Sequence, residues 1–275
     1  MIRAFKLEWL KIRNYRTFWV LLSMYILALI IISFGGMFFL EYLKSKGADF
    51  EGIDPTILPI YDFPDIWQNT TYLGSFLKVL LAFIVIISIN NDQIYNTLRQ
   101  NVVDGISKKE FLVSKLSFIA GLALISTFIL FISGLINGSI YSHVHGAEYV
   151  FDEMEFLAAY WYDIFVFCTL AFLLSLLIKK SGFVIIAITL YTLMFEPIAG
   201  LILIESPWFK DTFWSNIPQF LPIHSLNDLI NVPFPKYIFR EIEDNIPLSA
   251  IAISTGWLII YLTSIVFILN KRDLK

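Results

Sequence analysis

Charge, thiols and enzymatic signatures are what this chain of 275 residues has least of: 16% of its residues are charged, three are histidine and one is cysteine. A soluble domain of this size carries about a quarter charged residues, so an ordinary water-soluble fold is disfavoured from the outset. The lone thiol, Cys168, has no partner for an intrachain disulfide and reads as a small packed hydrophobe. A formal charge of -3 with dispersed basic residues leaves no electrostatic footprint for a nucleic acid. The chain contains no G-x-x-x-x-G-K-[ST] phosphate loop, no H-E-x-x-H zinc motif and no G-x-S-x-G nucleophile elbow. It is therefore expected to have no catalytic, cofactor-binding or metal-binding residues of its own, and not to hydrolyse ATP by itself. His143 and His145 stand near Glu148, Asp152, Glu153 and Glu155, but that spacing does not force three or four ligands around one ion.

What the chain has instead is length in its apolar runs. Residues 18–40, 72–90, 117–141, 158–178, 183–204 and 248–269 are each long enough to cross a hydrocarbon core about 30 Å thick as a helix rising about 1.5 Å per residue. A helix satisfies its own backbone groups in lipid. The expected fold is all-α and polytopic, a single transmembrane domain over residues 1–275 with six spans. The first run outlasts a signal-peptide core of about 7 to 15 residues, and Phe38, Phe39 and Leu40 make a poor cleavage site, so it reads as a retained anchor.

Basic residues choose the orientation. Arg3, Lys6, Lys11, Arg13 and Arg16 precede the first run, Arg99, Lys108, Lys109 and Lys115 lie between the second and third, Lys179 and Lys180 between the fourth and fifth, and Lys271, Arg272 and Lys275 at the end. The opposite face has Lys44, Lys46, Lys210, Lys236 and Arg240. The positive-inside rule places both termini in the cytoplasm.

Three segments outside the runs have their own character. Residues 1–17 suggest an interfacial helix with Ile2, Phe5, Trp9 and Ile12 on one side and Arg3, Lys6 and Arg13 beside them; a plain charged flank is the alternative. In the cytoplasmic segment 92–116, Gly105 can end one helical piece and Ser107 can cap the next, with Glu110 completing a capping box. This predicts a short helix from Lys108 to about Lys115, in which Phe111 and Leu112 enter a cleft on a partner and Lys108 and Lys109 surround it with charge. An ordinary capped turn is the other reading. Residues 205–247, broken by Pro218, Pro222, Pro233 and Pro235, suggest short aromatic helices resting on the outer interface.

Charged residues inside the runs mark further positions. Glu196 beside Pro197 suggests a break or re-entrant turn in the fifth run, serving as a hinge or facing a cavity. Lys78 and Asp163 are read as two separate interfacial contacts, with an ion pair between them the lesser alternative.

The whole arrangement resembles an ABC-2 type permease, the membrane subunit of an ATP-driven exporter. The resemblance rests on the basic start, the six spans, the outer segment with Ile217 through Leu226, and the stretch from Thr97 through Gly105, Ser107, Lys108, Lys109, Glu110 and Phe111 to Lys115. It implies that Ser107, Lys108, Lys109, Glu110, Phe111 and Leu112 form a coupling helix on a separate ATP-binding subunit, which would hold the ATP and magnesium. It also implies a second permease, identical or related, in a bacterial cytoplasmic membrane, with a hydrophobic, antimicrobial or lipid-like cargo. A secondary transporter or channel without an ATPase, or a scaffold or immunity protein of a membrane complex, are the competing readings.

Overall fold

The computed structural model describes residues 9–47, 59–95, 107–144, 146–210, 212–233 and 245–271. Among them there is helix and turn but no strand. The long helices are α1 (Arg16–Ser45), the pair α2 (Ile66–Ser75) and α3 (Lys78–Ile94), α4 (Lys108–Tyr141), α6 (Glu155–Leu177), the paired α7 (Ser181–Leu190) and α8 (Glu196–Glu205), and α10 (Leu248–Lys271). The short ones are α5 (Ala147–Phe151) and α9 (Pro222–Asn227). Among the described residues five helices are long and apolar enough to cross a membrane, six when the bent pair α2–α3 counts as one span. Their alternation brings residues 9–16, 94–95, 107–108, 177–181 and 271 to one end of the bundle, the basic end, and the aromatic segment around Trp208 and Trp214 to the other.

The second span begins earlier than its apolar run. Its first piece, α2, contains Gln68, Asn69, Thr70 and Thr71, all buried. These residues lower hydropathy, yet each donates a hydrogen bond to a carbonyl inside the protein. Thr70 and Thr71 donate to the carbonyls of Ile66 and Trp67 at 2.6 Å, Asn69 Nδ2 donates to Ile60 O at 2.7 Å, and Gln68 Nε2 to Asn231 O at 3.3 Å. Trp67 is fully buried rather than lying at an interface, and its indole donates to Val150 O at 2.9 Å. The chain then bends by 46° between α2 and α3. Gly74 makes this corner close-packed: a Cβ there would stand 2.8 Å from Leu130 Cδ1 and 3.2 Å from Tyr160.

Two other expectations are corrected. The capping box is present, with Ser107 Oγ accepting from Glu110 N at 3.2 Å and Ser107 N donating to the Glu110 carboxylate at 2.8 Å. It starts α4 itself, however, which runs unbroken for 34 residues, so residues 108–115 are the first turns of the third span and not a separate helix. Likewise Glu196–Pro197 does not turn the chain back. Tyr191–Phe195 forms one π-helical turn, Glu196 N reaches Tyr191 O, and the helix continues to Glu205. A proline lacks an N–H and crowds the carbonyl four residues back; the extra residue of a π turn relieves both without ending the helix.

At the start of the chain, residues 9–13 are helical and a turn at Asn14 and Tyr15 leads into α1. Ile12 is buried while Trp9 and Leu10 are half exposed, as expected of an amphipathic piece; the rest of the expected interfacial helix, residues 1–8, and residues 96–106 of the cytoplasmic segment lie outside the described residues.

The helix α6 occupies the centre, in contact with α2, α3, α4 and α10. Its apolar window is 67% buried against 17% for α10, so α6 is the axle and α10 a peripheral helix offering Ile259, Ile260 and Phe267 outward. A ring of three hydroxyls, Tyr25, Ser126 and Tyr160, ties α1, α4 and α6 together. Tyr160 lies 2.8 Å from Ser126 and 3.1 Å from Tyr25, and Tyr25 also bonds Ser126. Small residues let α4 approach: Gly134 meets the Trp67 ring and Gly138 the Phe63 ring.

Replacing Gly134 by valine puts a Cβ 2.7 Å from Trp67 Cζ3, and Trp67 is held by its indole bond. The expected loss is about 1–3 kcal/mol, the usual cost of overpacking. Thermal unfolding in detergent should show it, while Gly121→Ala, with open space at its Cβ, leaves the midpoint unchanged or raised.

Candidate functional site

Charged side chains within the bundle gather into two centres, one toward each end. Toward the aromatic end, Lys78 at the first position of α3 reaches Asp163 of α6 with Nζ–Oδ1 2.8 Å; their side chains are 4% and 1% exposed. The same ammonium donates to Asn227 Oδ1 of α9 at 3.2 Å and stands 5.5 Å from the Phe167 ring centroid. The expectation of two separate interfacial contacts is thus corrected. The bend between α2 and α3 turns Lys78 inward, where the carboxylate of α6 needs a cation more than the ammonium needs water.

Glu196 belongs to the same region. It is 5% exposed, and its Oε1 accepts from Ile223 N and His224 N, both at 2.6 Å. Those are N–H groups of the first turn of α9, which lack a partner within the helix. The carboxylate therefore caps α9 from another span, a structural contact that sequence left open between hinge and cavity. Pro197 lines a cavity described below. Burial pushes the Asp228 carboxyl above its usual range, and the His224 ring, 3.8 Å away, pulls it partly back.

At the basic end, Asp92 of α3 is shared by two cations. Lys115 of α4 approaches its Oδ2 at 2.5 Å and Lys11 its Oδ1 at 3.1 Å. Lys115 is buried, Lys11 30% exposed. Gln93 Nε2 adds a bond to Ser175 O of α6 at 2.6 Å. A cavity of 280 Å³ lies between α3 and the chain before α1, with Asp92, Ser88, Tyr15 and Phe18 among its walls.

The expected coupling residues divide sharply. Ser107 and Lys109 are exposed, Lys108 and Glu110 partly so, and Leu112 is half-buried against the core. Phe111 is 4% exposed and packs edge-on against Phe172 of α6, centroids 6.5 Å apart. It is thus packed within its own chain, whereas Val113, 39% exposed, is the apolar side chain that faces outward there. Sequence reasoning gave Asp92 and Asn227 no role. The signal for Asp92 was present, as the polar run Asn90, Asn91, Asp92, Gln93 closes an apolar span among lysines. Nothing local in the sequence announced Asn227, whose role depends on how α9 folds back. His143, for its part, stands beside Asp62, ring to carboxylate 3.2 Å; His145 lies outside the described residues.

A family model described as ABC-2 family transporter protein matches residues 4–196, from the basic start through both charged centres to Glu196. No curated protein matches the chain.

Glu196→Leu should leave two buried N–H groups of α9 unpaired, at a cost of roughly 2 kcal/mol or more. Hydrogen exchange of residues 222–227 then accelerates. Glu196→Gln keeps an acceptor oxygen and should retain most of the protection; equal protection in the leucine variant would remove the capping role.

Proposed function

The chain belongs to the ABC-2 transporter family, and from that premise we propose that it works as an exporter permease driven by a separate ATP-binding subunit. As a member of that family it is a multi-pass membrane protein of the transport-subunit kind. The finer reading is as follows. The basic end faces the cytoplasm, both termini with it, in a bacterial cytoplasmic membrane. The ATP-binding subunit, with its ATP and magnesium, docks against the start of α4 and residues 92–116. A second permease, identical or related, completes the complex.

The observation that carries this reading is the exposed, capped start of α4 beside the charge-shared Asp92. Ser107, Lys108, Lys109 and Glu110 present polar groups at the very end of a helix that continues unbroken through the bundle. A push on Lys109 or Val113 is then delivered to the whole span. Lys115, seven residues on, links that helix to α3 and, through Asp92, to Lys11 ahead of α1. Leu112 and Phe111 serve in this arrangement as the seat of the coupling turn on its own bundle, against Phe172, rather than as its contact with the partner. Glu196 and Pro197 hold the aromatic end, where cargo would leave.

Two measurements test it. Lys109→Cys should react with an impermeant thiol reagent only after the cells are opened, because the one native thiol, Cys168, is buried and stays silent. Reaction in intact cells would invert the orientation. The double substitution Lys109→Glu with Val113→Asp alters exposed side chains, so the protein should insert and melt as before, yet co-purify with about a tenth or less of its ATP-binding subunit, as expected when a docking contact becomes repulsive. Undiminished co-purification would move the docking surface elsewhere.

A further inference from the structure

A cavity of 470 Å³ opens where the α2–α3 bend, the π turn and the residues after α9 meet. Its size is that of a small-molecule site. Phe76 and Leu193, both 60% exposed, stand on its lining and so reach the surface of the chain, while Lys78, Thr192 and Asp228 supply polar wall.

Thr192 is the least expected of these. It is 8% exposed, and its hydroxyl has no hydrogen-bond partner among the described residues. Elsewhere in the spans Thr71, Thr169, Thr255 and Thr263 give their hydroxyls to the carbonyl one turn back, at 2.6 to 2.8 Å. A buried hydroxyl left unpaired costs about 1–3 kcal/mol, a cost removed when a ligand supplies the bond. Lys78 adds a donor: an ammonium carries three hydrogens, and Asp163 and Asn227 take two.

Charge selects among ligands. Lys78 forms one part of the wall, its ammonium held by Asp163 and Asn227. The residue after Asn227, Asp228, places a carboxylate at another, with its side chain 40% exposed and the His224 ring 3.8 Å away as its ion-pair partner. Lys78, already paired with Asp163, has one further N–H to offer an anionic group, and the part-exposed Asp228 carboxylate accepts from a cationic one, so a group bearing both charges uses both. Burial raises the Asp228 carboxyl and the His224 ring pulls it partly back, so a ligand cation beside it would favour the ionised form further.

We propose that this cavity binds the zwitterionic head of an amphiphile, its anionic group on Lys78 and Thr192 and its ammonium on Asp228, with the apolar chain leaving past Phe76 and Leu193. The proposal deepens the transport reading by naming a class of ligand. Binding needs no ATPase, so it is measured on the permease alone and stands or falls separately from the docking experiments above.

Delipidated protein in mild detergent is titrated with phosphatidylethanolamine, phosphatidylglycerol and a diacyl trimethylammonium lipid of identical chains, and occupancy is read by native mass spectrometry. The zwitterionic lipid should bind about tenfold more tightly than either singly charged one, the scale of one charge-assisted hydrogen bond. Thr192→Val and Asp228→Asn, which leave the Lys78–Asp163 pair intact, should each weaken it about five- to tenfold, and Leu193→Trp should block it. Displacement by free phosphoethanolamine would identify a soluble head group as the natural ligand, and persistence of the lipid would identify a membrane lipid; both support the site. Equal affinity for the three lipids, or unchanged affinity in the two polar variants, would overturn it.

Discussion

A carboxylate buried at the centre of an apolar bundle obliges a cation to stay beside it, and the aromatic half of this protein is arranged around that obligation. Asp163 sits on α6, the helix in contact with α2, α3, α4 and α10, and its side chain is 1% exposed. Lys78 answers it only because the second span bends just before that lysine. Asn227 then uses the same ammonium to fasten α9. Glu196 fastens α9 again by its backbone, from the far side of the π turn. One charge thus fixes a bend, a salt bridge and the position of a short helix, and the cavity they enclose follows from all three.

The helix α3 carries the constraint along its length. Lys78 is at its first position and Asp92 near its last, fourteen residues on, about 21 Å at the rise of an α-helix. Each end is locked to a neighbouring span by an ion pair of opposite polarity, Lys78 to Asp163 of α6 and Asp92 to Lys115 of α4. In the transport reading proposed above, this gives a displacement at the start of α4 a rigid path to the cavity at the other end. The path is made of packed helix and paired charge, with few degrees of freedom to absorb the motion.

Much of this was legible in the sequence, and the rest was hidden for physical reasons. The apolar runs gave the spans because hydrocarbon admits little else than a helix, and Ser107 with Glu110 gave the start of α4 because a capping box is a local interaction. The beginning of the second span was hidden, since Gln68, Asn69, Thr70 and Thr71 look like a loop until their bonds to neighbouring carbonyls are seen. The proline at 197 suggested a break, but a π turn is a cheaper answer that composition does not encode. Phe111 looked like a docking residue because its neighbours are charged; helical periodicity in fact turns it toward Phe172. Lys78 and Asp163 are 85 residues apart, and no local pattern connects them.

The most direct measurement is a double-mutant cycle on that pair, with Lys78→Met, Asp163→Leu and the combined variant compared by thermal unfolding in lipid nanodiscs. Each single replacement strands a buried charge and should cost about 3–5 kcal/mol, whereas the double, which buries no charge, should recover most of it. Losses that simply add would show that the two residues do not depend on each other, and the arrangement built here around Asp163 would be wrong.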